Sequence, residues 1–165
     1  EEAHGTAEIV LAQPVGRVRW LLDHLLVATF AIAIIVAATM LAAFAGLAGN
    51  EDAPALAKVV TVVGLGQGLA ACVFTALTAL VFVLVPRGTI AIAWALVMLA
   101  TVFGLFGPLF GLPEWTTRFS PFAVTPIVSD GTTEPRGTWW LVLIVAVVAA
   151  ASLTLMRRRE LHPAS

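Results

Sequence analysis

The amino-acid sequence predicts an all-α integral membrane protein: four transmembrane helices, an amphipathic helix ahead of them, and an interfacial or re-entrant segment on the outer side. Composition is the first observation behind this. Of the 165 residues, 60% are apolar and 12% charged, with a mean hydropathy of +1.00, whereas soluble domains average roughly 45–50% apolar and about 25% charged. Charge spacing is the second. No Asp, Glu, Lys or Arg occurs from His24 to Asn50, Val59 to Pro86, Gly88 to Pro113 or Gly137 to Met156. Each run is long enough, at about 1.5 Å per residue, for a helix to cross a hydrocarbon core of ~30 Å. Only a helix or a closed barrel pairs every backbone N–H and C=O there, and Ala, Leu, Val and Ile dominate all four runs. The net charge of −1 excludes a basic nucleic-acid binder. The single cysteine, Cys72, excludes an internal disulfide or a cysteine-rich metal site.

The elements follow in order. Residues 1–17 form an amphipathic helix and a turn. Ala3, Ala7, Val10 and Leu11 share one helical face, and Glu1, Gly5, Glu8 and Ala12 another, with Glu2 and His4 beside them. Pro14 and Gly16 then break the helix. Two readings fit it: a helix lying at the bilayer surface, or one docked on a protein partner. Its acidic face is poorly matched to an anionic leaflet. Transmembrane helices are expected near Val18–Gly49, Ala55–Val85, Thr89–Phe106 and Trp139–Met156, within a domain of residues 18–156. The first two exceed the bilayer minimum, so tilt or protrusion is expected. Residues 107–138 hold Pro108, Pro113, Pro121, Pro126 and Pro135. Gly107–Phe122 is still rich in Leu, Phe and Trp, which predicts short helical pieces that re-enter or lie in the outer interface. Ser129–Gly137 is polar and reads as an exposed turn. Residues 157–165 are a basic tail, with Arg157, Arg158 and Arg159 anchoring the last helix.

An even number of spans puts both chain ends on one side. That side holds Arg17, Arg19, Arg87 and Arg157–Arg159, and the other holds Lys58, Arg118 and Arg136. The positive-inside rule therefore places both termini in the cytoplasm of a multi-pass inner-membrane protein. Trp20, Trp115, Trp139 and Trp140 fall near the expected water boundaries.

No catalytic constellation stands out. Gly64-Leu65-Gly66-Gln67-Gly68 has the look of a glycine-rich phosphate loop, but it lies inside an uncharged span and has no Lys-Ser/Thr after it. Close helix packing is the favoured reading of its glycines, with a gating hinge as the alternative. Asp23-His24 sits near the inner end of the first span, close enough to the interface to be solvated. Gln67 is the one amide well inside a span, placed either to bond a neighbouring helix or to line a substrate path. Cys72 reads as a small packing residue.

The order of these parts resembles a known family. The segment Glu1-Glu2-Ala3-His4-Gly5-Thr6-Ala7-Glu8, followed by Pro14-Val15-Gly16-Arg17 and Trp20, looks like the stretch before the third span of ABC-2-type exporter permeases. Gly16 stands where that family commonly has Ser. Phe119-Ser120-Pro121-Phe122-Ala123 resembles the family's outer-loop Ser-Pro-Phe motif, although Val124 and Thr125 stand where a His often follows. Arg157-Arg158-Arg159-Glu160-Leu161 resembles the ending of the same group. The likeness covers nearly the whole chain and is closest to the C-terminal part of actinobacterial polyketide-antibiotic and multidrug exporter permeases.

The resemblance implies a membrane subunit without a catalytic site of its own, working with cytoplasmic ABC ATPase subunits that bind ATP and Mg. Glu1, Glu2, Gly5 and Glu8 would belong to the coupling helix that docks on the ATPase. Two spans would precede Glu1, with a further six-span half ahead of them, making the chain part of a longer permease. The small-molecule substrate would be amphipathic or apolar, with Phe30, Phe44, Gln67, Phe74 and Phe82 as candidates for its path; a Phe in such a span is more often plain packing or lipid contact. The alternative of a different class is a four-span membrane scaffold without transport activity.

Overall fold

The structure, a computed structural model, describes residues 16–106, 109–111, 121, 127–129, 132–134 and 138–160. The expected N-terminal amphipathic helix, with Glu1, Glu2, Gly5 and Glu8, lies outside the described residues, as does most of the expected outer segment. The described chain is helical apart from one small hairpin. Helix α1 spans Arg17–Gly46, α2 Ala53–Leu84, α3 Thr89–Thr101 and α4 Thr138–Glu160. A 3₁₀ turn, Pro86–Gly88, joins α2 to α3, and α3 runs on as a π-helical turn, Val102–Phe106. Among the described residues, 4 helical segments are long and apolar enough to cross a membrane.

Local chemistry sets the boundaries. After α1 the chain turns through Gly49, at φ 87°, a left-handed conformation that a side chain resists. The Asn50 carboxamide oxygen then accepts from the Asp52 N–H at 3.0 Å, and Pro54 sits in the first turn of α2, where its missing N–H costs nothing. Pro86 prevents α2 from continuing and opens the turn into α3. Helices α1 and α2 have 30 and 32 residues, about 45 and 48 Å of helix. This bears out the expectation that they exceed the bilayer core. Helix α4 continues through the arginine cluster to Glu160, so the first part of the expected basic tail is helical.

The polar stretch expected as an exposed turn, Ser129–Gly137, overlaps a short antiparallel pair that begins just before it. Strand β1, Ile127–Ser129, pairs with β2, Thr132–Glu134, with Ile127 opposite Glu134 and Ser129 opposite Thr132. The sequence between them is Asp130-Gly131, a dipeptide suited to two-residue hairpin connections.

Helix α2 is the hub, packing against α1, α3 and α4. Its buried residues Gly66, Ala70, Val73, Ala76, Ala79 and Val83 recur at helical spacing. Most are small, which lets backbones approach where lipid leaves no hydrophobic drive between helices. At one end Leu21 of α1, Ala79 and Val83 of α2 and Met156 of α4 form a common buried cluster. Hydroxyls within the spans are satisfied locally. Thr29, Thr39, Thr61, Thr75, Thr78, Thr101 and Ser152 each donate to the carbonyl four residues earlier, at 2.8–3.0 Å, as backbone-only surroundings require.

Candidate functional site

The site begins at the seam between α1 and α2. A Cβ built on Gly64 would lie 2.9 Å from Met40 Cγ and 3.1 Å from its Sδ, and one built on Gly68 would lie 3.1 Å from Val36 Cγ2. Glycines four residues apart on α2 thus meet residues four apart on α1, in antiparallel register. The packing reading of the glycine run is supported at both positions.

Beside this seam an open groove of ≈ 540 Å³ runs between residues 32–43 of α1 and 59–71 of α2. It lies in the half of the hairpin nearer the α1–α2 turn. Ile35, Met40, Val63 and Gly64 contribute apolar surface, and Thr39 and Gln67 are the polar side chains among its described lining. The Thr39 hydroxyl is committed to the Ile35 carbonyl at 2.8 Å. The Gln67 amide has no hydrogen-bond partner among the described residues. The favoured interhelical bond is not seen among these residues; Gln67 is exposed and lines the groove.

A second, smaller cavity of ≈ 280 Å³ lies where α2, α3 and α4 meet. Phe74, Leu77, Phe103 and Ile144 line it, together with Pro121. Pro121 belongs to the stretch between α3 and α4.

The candidate path residues are dispersed. Gln67 lines the first groove and Phe74 the second cavity. Phe82 packs against the buried end cluster and against Trp20, ring centroids 5.5 Å apart. Phe30 is 68% exposed on the outer face of α1, and Phe44 is half-buried near the α1–α2 turn. What sequence reading missed is the groove wall itself, Ile35, Met40 and Val63. Aromaticity drew attention to phenylalanines, whereas the lone amide at Gln67 was the signal that marked the groove.

The Asp23-His24 pair resolves into a local arrangement. His24 Nδ1 lies 2.8 Å from the Trp20 carbonyl oxygen, its ring is 4.0 Å from the Trp20 ring, and Asp23 is exposed. Among the described residues, no three His, Cys, Asp or Glu side chains gather as a metal site would require.

Comparison with known proteins gives this bundle a context. The family model described as "Multidrug efflux system permease Rv1217c, C-terminal domain" matches residues 1–157. The multidrug efflux system permease protein Rv1217c of Mycobacterium tuberculosis (strain ATCC 25618 / H37Rv) is 34% identical over 164 residues, covering 97% of this chain and 29% of the relative. The chain thus spans under a third of that relative's length. No solved structure matches significantly. With nearly all of the chain matched and four membrane-length helices in place, this protein belongs to the family of the C-terminal domain of the Rv1217c-type multidrug efflux permease.

Proposed function

We propose that this chain supplies the last four membrane spans of an ATP-driven exporter permease that moves amphipathic or apolar small molecules out of the cell. The match of residues 1–157 to a multidrug efflux permease domain carries this reading. The open apolar groove on the α1–α2 hairpin supports it, because a membrane-embedded concave surface suits an apolar cargo. The scaffold alternative has no observation in its favour.

In this reading a cytoplasmic ATPase binds ATP and Mg, and this chain performs no covalent step. The acidic face at Glu1, Glu2 and Glu8 meets basic groups on the ATPase, with Gly5 allowing close backbone approach. Movement of that helix is passed through Pro14–Gly16 into α1 and, through the buried Leu21–Ala79–Val83–Met156 cluster, to α2 and α4. The test is energised efflux of a neutral lipophilic dye from cells of an efflux-deficient host expressing the native permease and its ATPase. Dye retention no different from empty cells overturns the exporter reading. Glu8→Arg is expected to lower ATPase recovery on the purified permease several-fold. Unchanged recovery together with unchanged efflux overturns the coupling assignment.

Both termini are cytoplasmic in this reading, from the distribution of Lys and Arg. In a permease cleared of its other cysteines, with Cys72→Ser among the changes, Asn50→Cys between α1 and α2 is expected to react with a membrane-impermeant maleimide in intact cells. Ser165→Cys is expected to react only after permeabilisation. The reverse pattern inverts the topology.

A further inference from the structure

We infer that one end of the bundle, built from the start of α1, the end of α2 and the end of α4, is a binding surface for an anionic phospholipid held through Arg19, Arg87 and Arg157. The packing sets these arginines at one level. Leu21 of α1, Val83 of α2 and Met156 of α4 share a buried cluster. Arg19 lies two residues from Leu21, Arg157 follows Met156 directly, and Arg87 stands in the 3₁₀ turn, four residues past Val83. Each converging segment thus sends one arginine out of the bundle within about one helical turn of the same height. All three are exposed.

Depth and charge identify the occupant. The arginines stand at the ends of helices long and apolar enough to cross a membrane, where hydrocarbon gives way to phosphate. Trp20 marks the same depth. It adjoins Arg19, is 41% exposed, and its ring lies 4.0 Å from that of His24 and 5.5 Å from that of Phe82. An indole so placed is at home at the bilayer boundary. Further along α1, Leu22 and Leu26 are exposed and offer apolar surface to an acyl chain. Arg158 is exposed beside Arg157. Among the described residues, the acids of this end are Asp23 and Glu160, whereas the opposite end carries Glu51 and Asp52 with Lys58. Positive charge therefore gathers at one end. A guanidinium grips phosphate oxygens through parallel N–H donors. A zwitterionic lipid presents the same phosphate but brings an ammonium to a positive surface, so the lipid that fits has a net negative headgroup. This surface is read from the end of the bundle and does not depend on the exporter reading.

The experiment is photolabelling of the native permease, with its whole polypeptide, in nanodiscs of equal phosphatidylglycerol and phosphatidylcholine. Each lipid is supplied in turn as a photoactivatable probe, and adducts are mapped by peptide mass spectrometry. In peptides holding residues 17–26, 82–88 and 153–160, the phosphatidylglycerol probe is expected to label roughly tenfold more than the phosphatidylcholine probe. Added salt should shrink that preference. Changing Arg19, Arg87 and Arg157 together to Gln is expected to abolish it, at roughly fivefold per arginine. Changing the same three to Lys should keep most of it, because the charge remains. Lys58→Gln, at the opposite end, should leave it unchanged. Equal labelling by the two probes, a preference that survives the Gln variant, or a Lys variant that loses as much as the Gln variant overturns the lipid site. Labelling that appears only when the cytoplasmic ATPase is stripped away also overturns it, and assigns the arginines to a protein contact instead.

Discussion

Ala79→Phe is expected to be the most damaging single substitution in the bundle. Ala79 is 7% exposed and shares a buried cluster with Leu21 of α1, Val83 of α2 and Met156 of α4. Val18, Leu25, Phe82, Leu153 and Leu155 pack around that cluster. Three helices meet on a methyl group, so a benzyl group has no direction in which to move without separating a pair of them. Overpacking a filled core costs about 1–3 kcal/mol and occasionally more. At about 1.4 kcal/mol per factor of ten, the folded-to-unfolded ratio should fall by about 5-fold to 100-fold or more. Equilibrium unfolding in mixed micelles measures this directly. Ala91→Phe is the control, because Ala91 is exposed on α3 among the described residues. Its stability should match that of the parent. Equal losses for the two variants would mean that the Leu21–Ala79–Val83–Met156 cluster does not organise the bundle.

That cluster shows where sequence reasoning reached and where it stopped. The spans were legible to within a few residues because backbone satisfaction in hydrocarbon forces long charge-free helices. Proline and glycine punctuated the turns: Gly49 and Pro54 bracket the first hairpin and Pro86 the second. Helix faces were not legible. Where lipid replaces water, both the buried and the exposed face of a helix are apolar, so Ala79 and Ala91 look alike in the sequence. The β1–β2 pair was missed for a different reason. Asp130-Gly131 between Ile127–Ser129 and Thr132–Glu134 carries a hairpin signal, but the stretch was read for its polarity rather than for its alternation. The candidate site was half legible. Gln67 marked the groove because an amide in an apolar span needs a reason. Met40 and Ile35 became meaningful only once the register put Met40 against Gly64 and Val36 against Gly68.

That register yields the second large effect, at Gly68. A leucine there is expected to force α1 and α2 apart, since even its Cβ would lie 3.1 Å from Val36 Cγ2. Valine is β-branched and held to essentially one rotamer in a helix, so it cannot swing aside. Gly64 faces a softer neighbour. Its Cβ would lie closer, 2.9 Å from Met40 Cγ, but the unbranched methionine can turn into the open groove. Each glycine replaced also removes a helix-propensity penalty of about 1 kcal/mol relative to alanine. Gly64→Ala, which needs only a change of the Met40 rotamer, is therefore expected to cost less than Gly68→Leu. Gly68→Leu is expected to lose about 1–3 kcal/mol, the overpacking range. Removing the obstacle should restore part of it: Val36→Ala combined with Gly68→Leu should recover at least about 1 kcal/mol of the loss, well beyond additivity. Strict additivity would show that the glycine–valine contact does not set the interhelical distance.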